Sequence, residues 1–134
     1  MIQDIINFYK SFERYKCFTD QVIFEENIDC FRNNHFKVFK DKFDIYGFVS
    51  WTFLDQKNLS YFLKTGIVEV YNSGNIFVHL DFLGKKNIKE IYKWSLNNIT
   101  KYIDINKQTQ WLRLNKDNGV RNIVKKTVKE SWNG

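Results

Sequence analysis

Proline is absent from this chain, glycine is scarce at six residues, and cysteine occurs only at Cys17 and Cys30. A chain with no proline and little glycine is set up for regular elements joined by short turns. The two cysteines have no zinc-ligand company and no disulfide spacing, which fits a reduced, cytosolic setting. No apolar run approaches the ~20 residues that a membrane span requires. The start, MIQDIINFYKSFERYK, is amphipathic and carries acids, so it does not read as a signal peptide. HExxH, paired CxxC, P-loop and GxSxG patterns are missing as well. Metal-hydrolase, nucleotide-hydrolase and serine-hydrolase chemistry therefore has no motif here.

What is present is a globular composition of 43% hydrophobic and 18% aromatic residues over 134 positions. That is enough for one domain, residues 1–134, with a sizeable core. The formal net charge of +6 favours polyanionic partners. The cations are spread along the chain, and the aromatics sit at core-facing spacing rather than interleaved with a basic stripe. Nucleic-acid binding therefore ranks last among the readings.

The spacing predicts a helix over residues 2–16 and a second from Thr19 or Asp20 to about Asn33. Strands follow at Phe36–Phe39 and Ile45–Phe53, joined by the turn KDKFD, and the second has apolar residues on both faces. A short helix over Asp55–Lys64 ends at Gly66. A strand at Ile67–Tyr71 and a hairpin turn at 72–75 lead to the stretch around which the chain is organised. There Ile76, Val78, Leu80 and Phe82 alternate on one face of a strand. Gly84 turns the chain, and Asn87 caps a helix reaching Ile103, with Glu90 in capping-box position. A strand at 110–114 and a last helix through Val120, Ile123, Val124, Thr127 and Val128 complete the chain. Strand 76–82, helix 87–103 and strand 110–114 should form a right-handed parallel crossover. The expected fold class is α/β or α+β in three layers, a mixed central sheet with helices on both faces.

Two clusters in the organising stretch carry candidate chemistry. Gly84, Lys85, Lys86 and Asn87 place ammonium groups beside the free N–H groups of a helix start, a pattern that suits a diphosphate. The alternative is a plain turn with solvated lysines. His79 and Asp81 lie two apart on one strand face, so a neutral imidazole oriented by the carboxylate can take a proton from an ammonium. The alternative there is a packed histidine and a turn-capping aspartate. Ser50, Trp51, Glu69 and His35 are weaker candidates; Ser50 and Trp51 suit core lining, and His35 suits a solvent-facing strand start.

The strand YGFVSW (Tyr46–Trp51), followed by VHLDFLGKKNIK, resembles the GNAT superfamily of N-acetyltransferases over roughly residues 35–128. In that family a loop of the type R-G-K-G-I-G after the second strand holds the pyrophosphate of acyl-CoA. The matching run here is Leu83, Gly84, Lys85, Lys86, Asn87 and Ile88, with Lys86-Asn87 where the family has small residues. The resemblance implies a GNAT-like fold, acetyl-CoA or a longer acyl-CoA as cofactor, and an amine acceptor such as a protein lysine. It places Asn115 and Asn118 either at the pantetheine arm or at the cap of the last helix. The segment HFKVFKDKFDIYGFVSWTFLDQKNLSYFL is most similar to the toxin-activating lysine acyltransferases. Tyr15 falls near the position of their N-terminal histidine. Small proteins of this kind in tailed bacteriophages, some resembling internal virion proteins, imply a second possibility. That possibility is an inert GNAT-like structural or interaction protein with a virion or host partner, in the host cytoplasm or the particle.

Overall fold

The computed structural model describes residues 1–114 and 121–134. Among them are helices α1 (Ile2–Lys10), α2 (Asp20–Asn33), α3 (Gln56–Thr65) and α4 (Ile88–Ile99). The strands are β1 (Phe36–Lys40), β2 (Ile45–Leu54), β3 (Ile76–Gly84), β4 (Gln108–Leu114) and β5 (Arg121–Thr127). One sheet has the order β1-β2-β3, and β4 and β5 form a second sheet. The chain divides into two compact units, Met1–Ser50 with Asp81–Ile91, and Trp51–Leu80 with Tyr92–Gly134.

In the first unit, α1 is shorter than the spacing predicts. It stops at Lys10, where the Ser11 hydroxyl donates to the Phe8 carbonyl at 2.6 Å, and residues 13–15 form a separate 3₁₀ turn. Such a local side-chain bond competes with continuation of the helix. α2 runs as expected. Thr19 Oγ1 accepts the Val22 N–H at 3.2 Å, and Asn34 ends the helix in the left-handed region at φ 57°. β1 and β2 pair antiparallel from Phe36↔Ser50 to Lys40↔Ile45. Their turn is closed by Asp41, whose Oδ1 accepts the N–H groups of Phe43 and Asp44, each at 2.9 Å. The core gathers Ile5, Ile6, Phe8 and Tyr9 of α1 with Tyr15, Ile23, Phe48 and Leu83.

The second unit is built around Leu54, Leu59, Phe62 and Val78, with Leu80 and Leu112 packed against them. Asp55 caps α3 by accepting the Asn58 N–H at 2.8 Å, and Gly66 ends it at φ 77°. No strand forms at 67–71. Ile67 and Val70 are more than half exposed, and only Val68 between them packs against the core of this unit, so the alternation of a half-buried strand is not used. The following loop docks on the end of β2 instead. The Asn72 N–H donates to Thr52 Oγ1 at 3.2 Å, and the Asp55 N–H donates to Ser73 Oγ at 3.0 Å. α4 also ends early, at Ile99, where the Thr100 hydroxyl donates to the Asn97 carbonyl at 2.6 Å.

Two further expectations are corrected in this unit. The segment expected as a last helix is strand β5, antiparallel to β4 in the register Trp111↔Val124 and Leu112↔Ile123. Its β-branched residues are stiff at χ1 and fit a pleated ribbon, so cross-strand pairing wins over a short helical period. The parallel crossover is absent because β4 pairs with β5 in a sheet separate from that of β3.

Gly74 lies where that loop meets the β2 end. A Cβ there would fall 2.5 Å from the Asp55 nitrogen and 2.8 Å from the Leu54 carbonyl carbon. Those are backbone atoms and cannot swing away. Gly74→Ala is expected to cost ~1–3 kcal/mol, the usual range for overpacking. At Gly84 the obstacles are the side-chain tips of Ile88, at 2.5 Å, and Ile91, at 3.1 Å, which can swing away, and Gly84→Ala should cost less. Urea midpoints of the two variants check the ranking, and an equal or larger loss at Gly84 would refute it.

Candidate functional site

The turn after β3 does come together as a cationic corner, but its charges are already engaged. Lys85 Nζ donates to the Ser11 carbonyl at 2.9 Å and lies 4.5 Å from the Phe12 ring centroid. Lys86 forms an ion pair with Asp41. The Lys86 ammonium, donating to Asp41, is the largest cause holding that carboxyl well below the usual carboxylate range; the Asp44 and Phe43 N–H groups add to it. Lys86 is raised in turn, first by its bond to Asp41.

The helix start is altered as well. Asn87 adopts a left-handed conformation, φ 55°, and its carbonyl accepts the Ile91 N–H at 3.2 Å. Glu90, expected to complete a capping box, accepts the Tyr46 hydroxyl at 2.7 Å. Its carboxylate in the first turn competes with any anion for the positive end of α4. Gly84 lies under Ile88 and Ile91, which accounts for glycine there by packing alone. Leu83 is buried in the core of the first unit.

Beside the turn opens a cleft of about 730 Å³. Its walls carry Asp4, Asp41 and Asp44 against Lys40, Lys85 and Lys86, with Phe8 and Phe43 among the apolar lining. Acids matched to lysines do not make the one-signed field that concentrates a polyanion.

Asp81 is placed by a different set of residues. The Tyr9 hydroxyl bonds its Oδ2, and its backbone N–H donates to Ser50 Oγ at 3.2 Å. Tyr9 Oη also lies 3.1 Å from Asn27 Oδ1, and Asn27 Nδ2 donates to the Ile23 carbonyl at 2.9 Å. A phenol has one proton and cannot donate to both neighbours. With a proton on Asp81 every bond is made: Asp81 donates to Tyr9, Tyr9 to Asn27, and Asn27 to Ile23. With Asp81 ionised, Asn27 Oδ1 loses its donor. Burial raises the Asp81 pKa, while Tyr9 and then Arg14 oppose the shift. Burial and the Asp81 charge push Tyr9 well above its ordinary value. Burial and the same charge also raise Glu26.

Compared with known proteins, the chain matches no family model and no curated sequence.

β3 passes from one unit to the other between Leu80 and Asp81, so His79 belongs to the second. There its ring stands edge-on to Phe77 at 5.2 Å and to Trp111 at 6.2 Å. Trp51 lies 6.3 Å from Phe77 and 5.9 Å from Trp94. Glu69 lines a shallow pocket of about 260 Å³ with Lys57 and Lys64. Asn115 and Asn118 lie outside the described residues. Among the described residues no group of three or more His, Cys, Asp or Glu can hold a metal ion, and no helix is long and apolar enough to cross a membrane.

Sequence reasoning missed Tyr9, Asn27 and Asp41. Tyr9 reads as one more apolar position on the α1 stripe. Asn27 carries a faint signal, since it follows buried Ile23 by four residues on a helix face that otherwise buries Ile23 and Cys30. Asp41 stands in a turn and gives no hint of Lys86.

Proposed function

We propose that this protein acts by holding a protein partner, as an inert form of a GNAT-like three-layer fold, rather than by acyl transfer. One observation carries the reading. The ammonium groups that would receive a cofactor diphosphate are engaged by Ser11 and Asp41 of the same chain. The test is thermal unfolding with acetyl-CoA and with longer acyl-CoAs. A ligand at ~100 times its dissociation constant stabilises by about 2.7 kcal/mol, which moves the midpoint of a domain this size by several degrees. No shift is expected for the native chain, and a shift of that size overturns the reading. Asp41→Asn removes the partner of Lys86. It is expected to gain a salt-sensitive response to CoA that the native chain lacks, and no gain would mean that Asp41 is not what closes the turn.

A second reading, acyl transfer from acetyl-CoA or a longer acyl-CoA to an amine such as a protein lysine, has its own support. A buried carboxyl beside a phenol is an environment in which enzymes set acid–base groups. In that reading His79 or Asp81 acts as the base. Mass spectrometry of a lysine peptide incubated with acyl-CoA and the protein tests it: acylation lost in Asp81→Asn supports it, and no acylation removes it.

A further inference from the structure

We propose that the free edge of β5 binds an acidic, extended segment of a partner protein, which adds to the β4–β5 ribbon as a third strand. The inference rests on the interaction-protein reading and locates its surface. Neither strand, QTQWLRL or RNIVKKT, contains an acid, and together they carry Arg113, Arg121, Lys125 and Lys126. Every described position of β5 except Val124 is exposed. Its ladder runs to β4, and no third strand joins the ribbon among the described residues. Among the described residues, then, no strand takes up the backbone N–H and C=O groups of the other edge, and an edge of that kind is where an incoming strand adds.

The register decides what kind of partner fits. Pairing with β4 puts Lys125 on one face beside Ile123, and Lys126 on the opposite face beside Val124. Cations on alternate faces do not form the single track that a phosphate backbone follows. They do match a strand, whose successive side chains also point to alternate faces. Adjacent acids on an incoming strand would meet Lys125 and Lys126, one on each face, while a β-branched neighbour covers Ile123, which is 48% exposed. The same lysines discourage a second copy of β5, because like charges brought together across strands destabilise pairing. Arg121 is tied more closely to its own unit, since its guanidinium lies against Gly66 at the end of α3.

The probe is a short labelled peptide of valine and threonine with two adjacent glutamates, blocked at both ends. A lysine-for-glutamate version and a DNA duplex are the controls. The acidic peptide is expected to bind the full chain and to slow amide exchange across β5. Lys125→Glu/Lys126→Glu should weaken it by about tenfold, the scale of two cross-strand charge pairs turned repulsive. Lys125→Gln/Lys126→Gln, which keeps the side-chain size, should fall between. Unchanged thermal unfolding of both variants confirms that the ribbon is intact. No binding of the acidic peptide, binding without slowed exchange in β5, or stronger binding of the duplex overturns the proposal. A midpoint shift with acyl-CoA instead sinks the interaction reading beneath it, so the two failures are distinguishable.

Discussion

Tyr9→Ala is expected to remove ~3–5 kcal/mol of stability, the usual cost of deleting a buried aromatic side chain. Tyr9 is only 2% exposed and packs edge-on against Tyr15 at 5.1 Å and Phe48 at 5.4 Å. α1 contributes much of the first unit's core, so a void at Tyr9 also loosens the seats of Ile5 and Ile6. Tyr9→Phe separates the ring from the hydroxyl. The ring contacts remain, but Asp81 Oδ2 and Asn27 Oδ1 both lose the hydroxyl they share. Leaving buried polar atoms unsatisfied costs ~1–3 kcal/mol. Urea unfolding of the two variants gives both numbers. A phenylalanine variant as stable as the native chain would sink the hydrogen-bond chain while leaving the packing argument untouched.

Local signals in the sequence located much of the fold. Thr19 and Asp55 offer side-chain oxygens at helix starts, and Gly66 takes a positive φ at a helix end; each acts within four residues. β2 was legible because apolar residues on both faces demand cover on both sides, and it lies between β1 and β3. Where local pattern failed, a distant partner or its absence decided. β5 has helical spacing, but β4 supplies a pairing edge. Ile67 to Tyr71 has strand composition, yet among the described residues it joins neither sheet. The candidate site divides in the same way. The Gly84–Asn87 turn could be found from its glycine and lysines, yet its electrostatics are set by Asp41, 45 residues from Lys86. Asp81 stood out as a carboxylate on a strand, but its environment comes from Tyr9, 72 residues away. A sequence shows which groups can ionise more readily than it shows which neighbours will neutralise them.

Asp81→Asn is expected to raise the melting temperature at pH 8 and to leave it nearly unchanged at pH 4. The sign follows from linkage. Asp81 has a folded pKa above its ordinary value of 3.8, chiefly through burial. Its favourable contribution is therefore complete below that value and is lost as pH rises through the folded pKa. The groups facing it come from every element around it: Tyr9 from α1, Arg14 from the 3₁₀ turn, Glu26 and Asn27 from α2, and Ser50 from β2. Glu26 is raised too and acts in the same direction, and the loss of the Asp81 charge should ease its ionisation. His35 acts in the opposite direction. Burial depresses its pKa below 6.5, so its contribution is lost as pH falls. The depressed Asp20 and Asp55 also lose their contribution toward low pH. The slopes of His35, Asp20 and Asp55 are common to both proteins, while the eased Glu26 adds to the variant's gain at high pH, so the quantity to read is the variant-minus-native difference across the titration. That difference should be near zero at low pH, because asparagine reproduces the proton-bearing carboxyl in shape and its amide can donate to Tyr9. It should then grow above the ordinary carboxylate value, as the native chain must either ionise a buried group or hold its proton against solvent. A flat difference from pH 4 to pH 8 would mean that Asp81 ionises in the fold as readily as in the unfolded chain. Tyr9 and then Arg14 would offset burial, and the chain of bonds from Asp81 to Ile23 would run with Tyr9 donating toward the carboxylate.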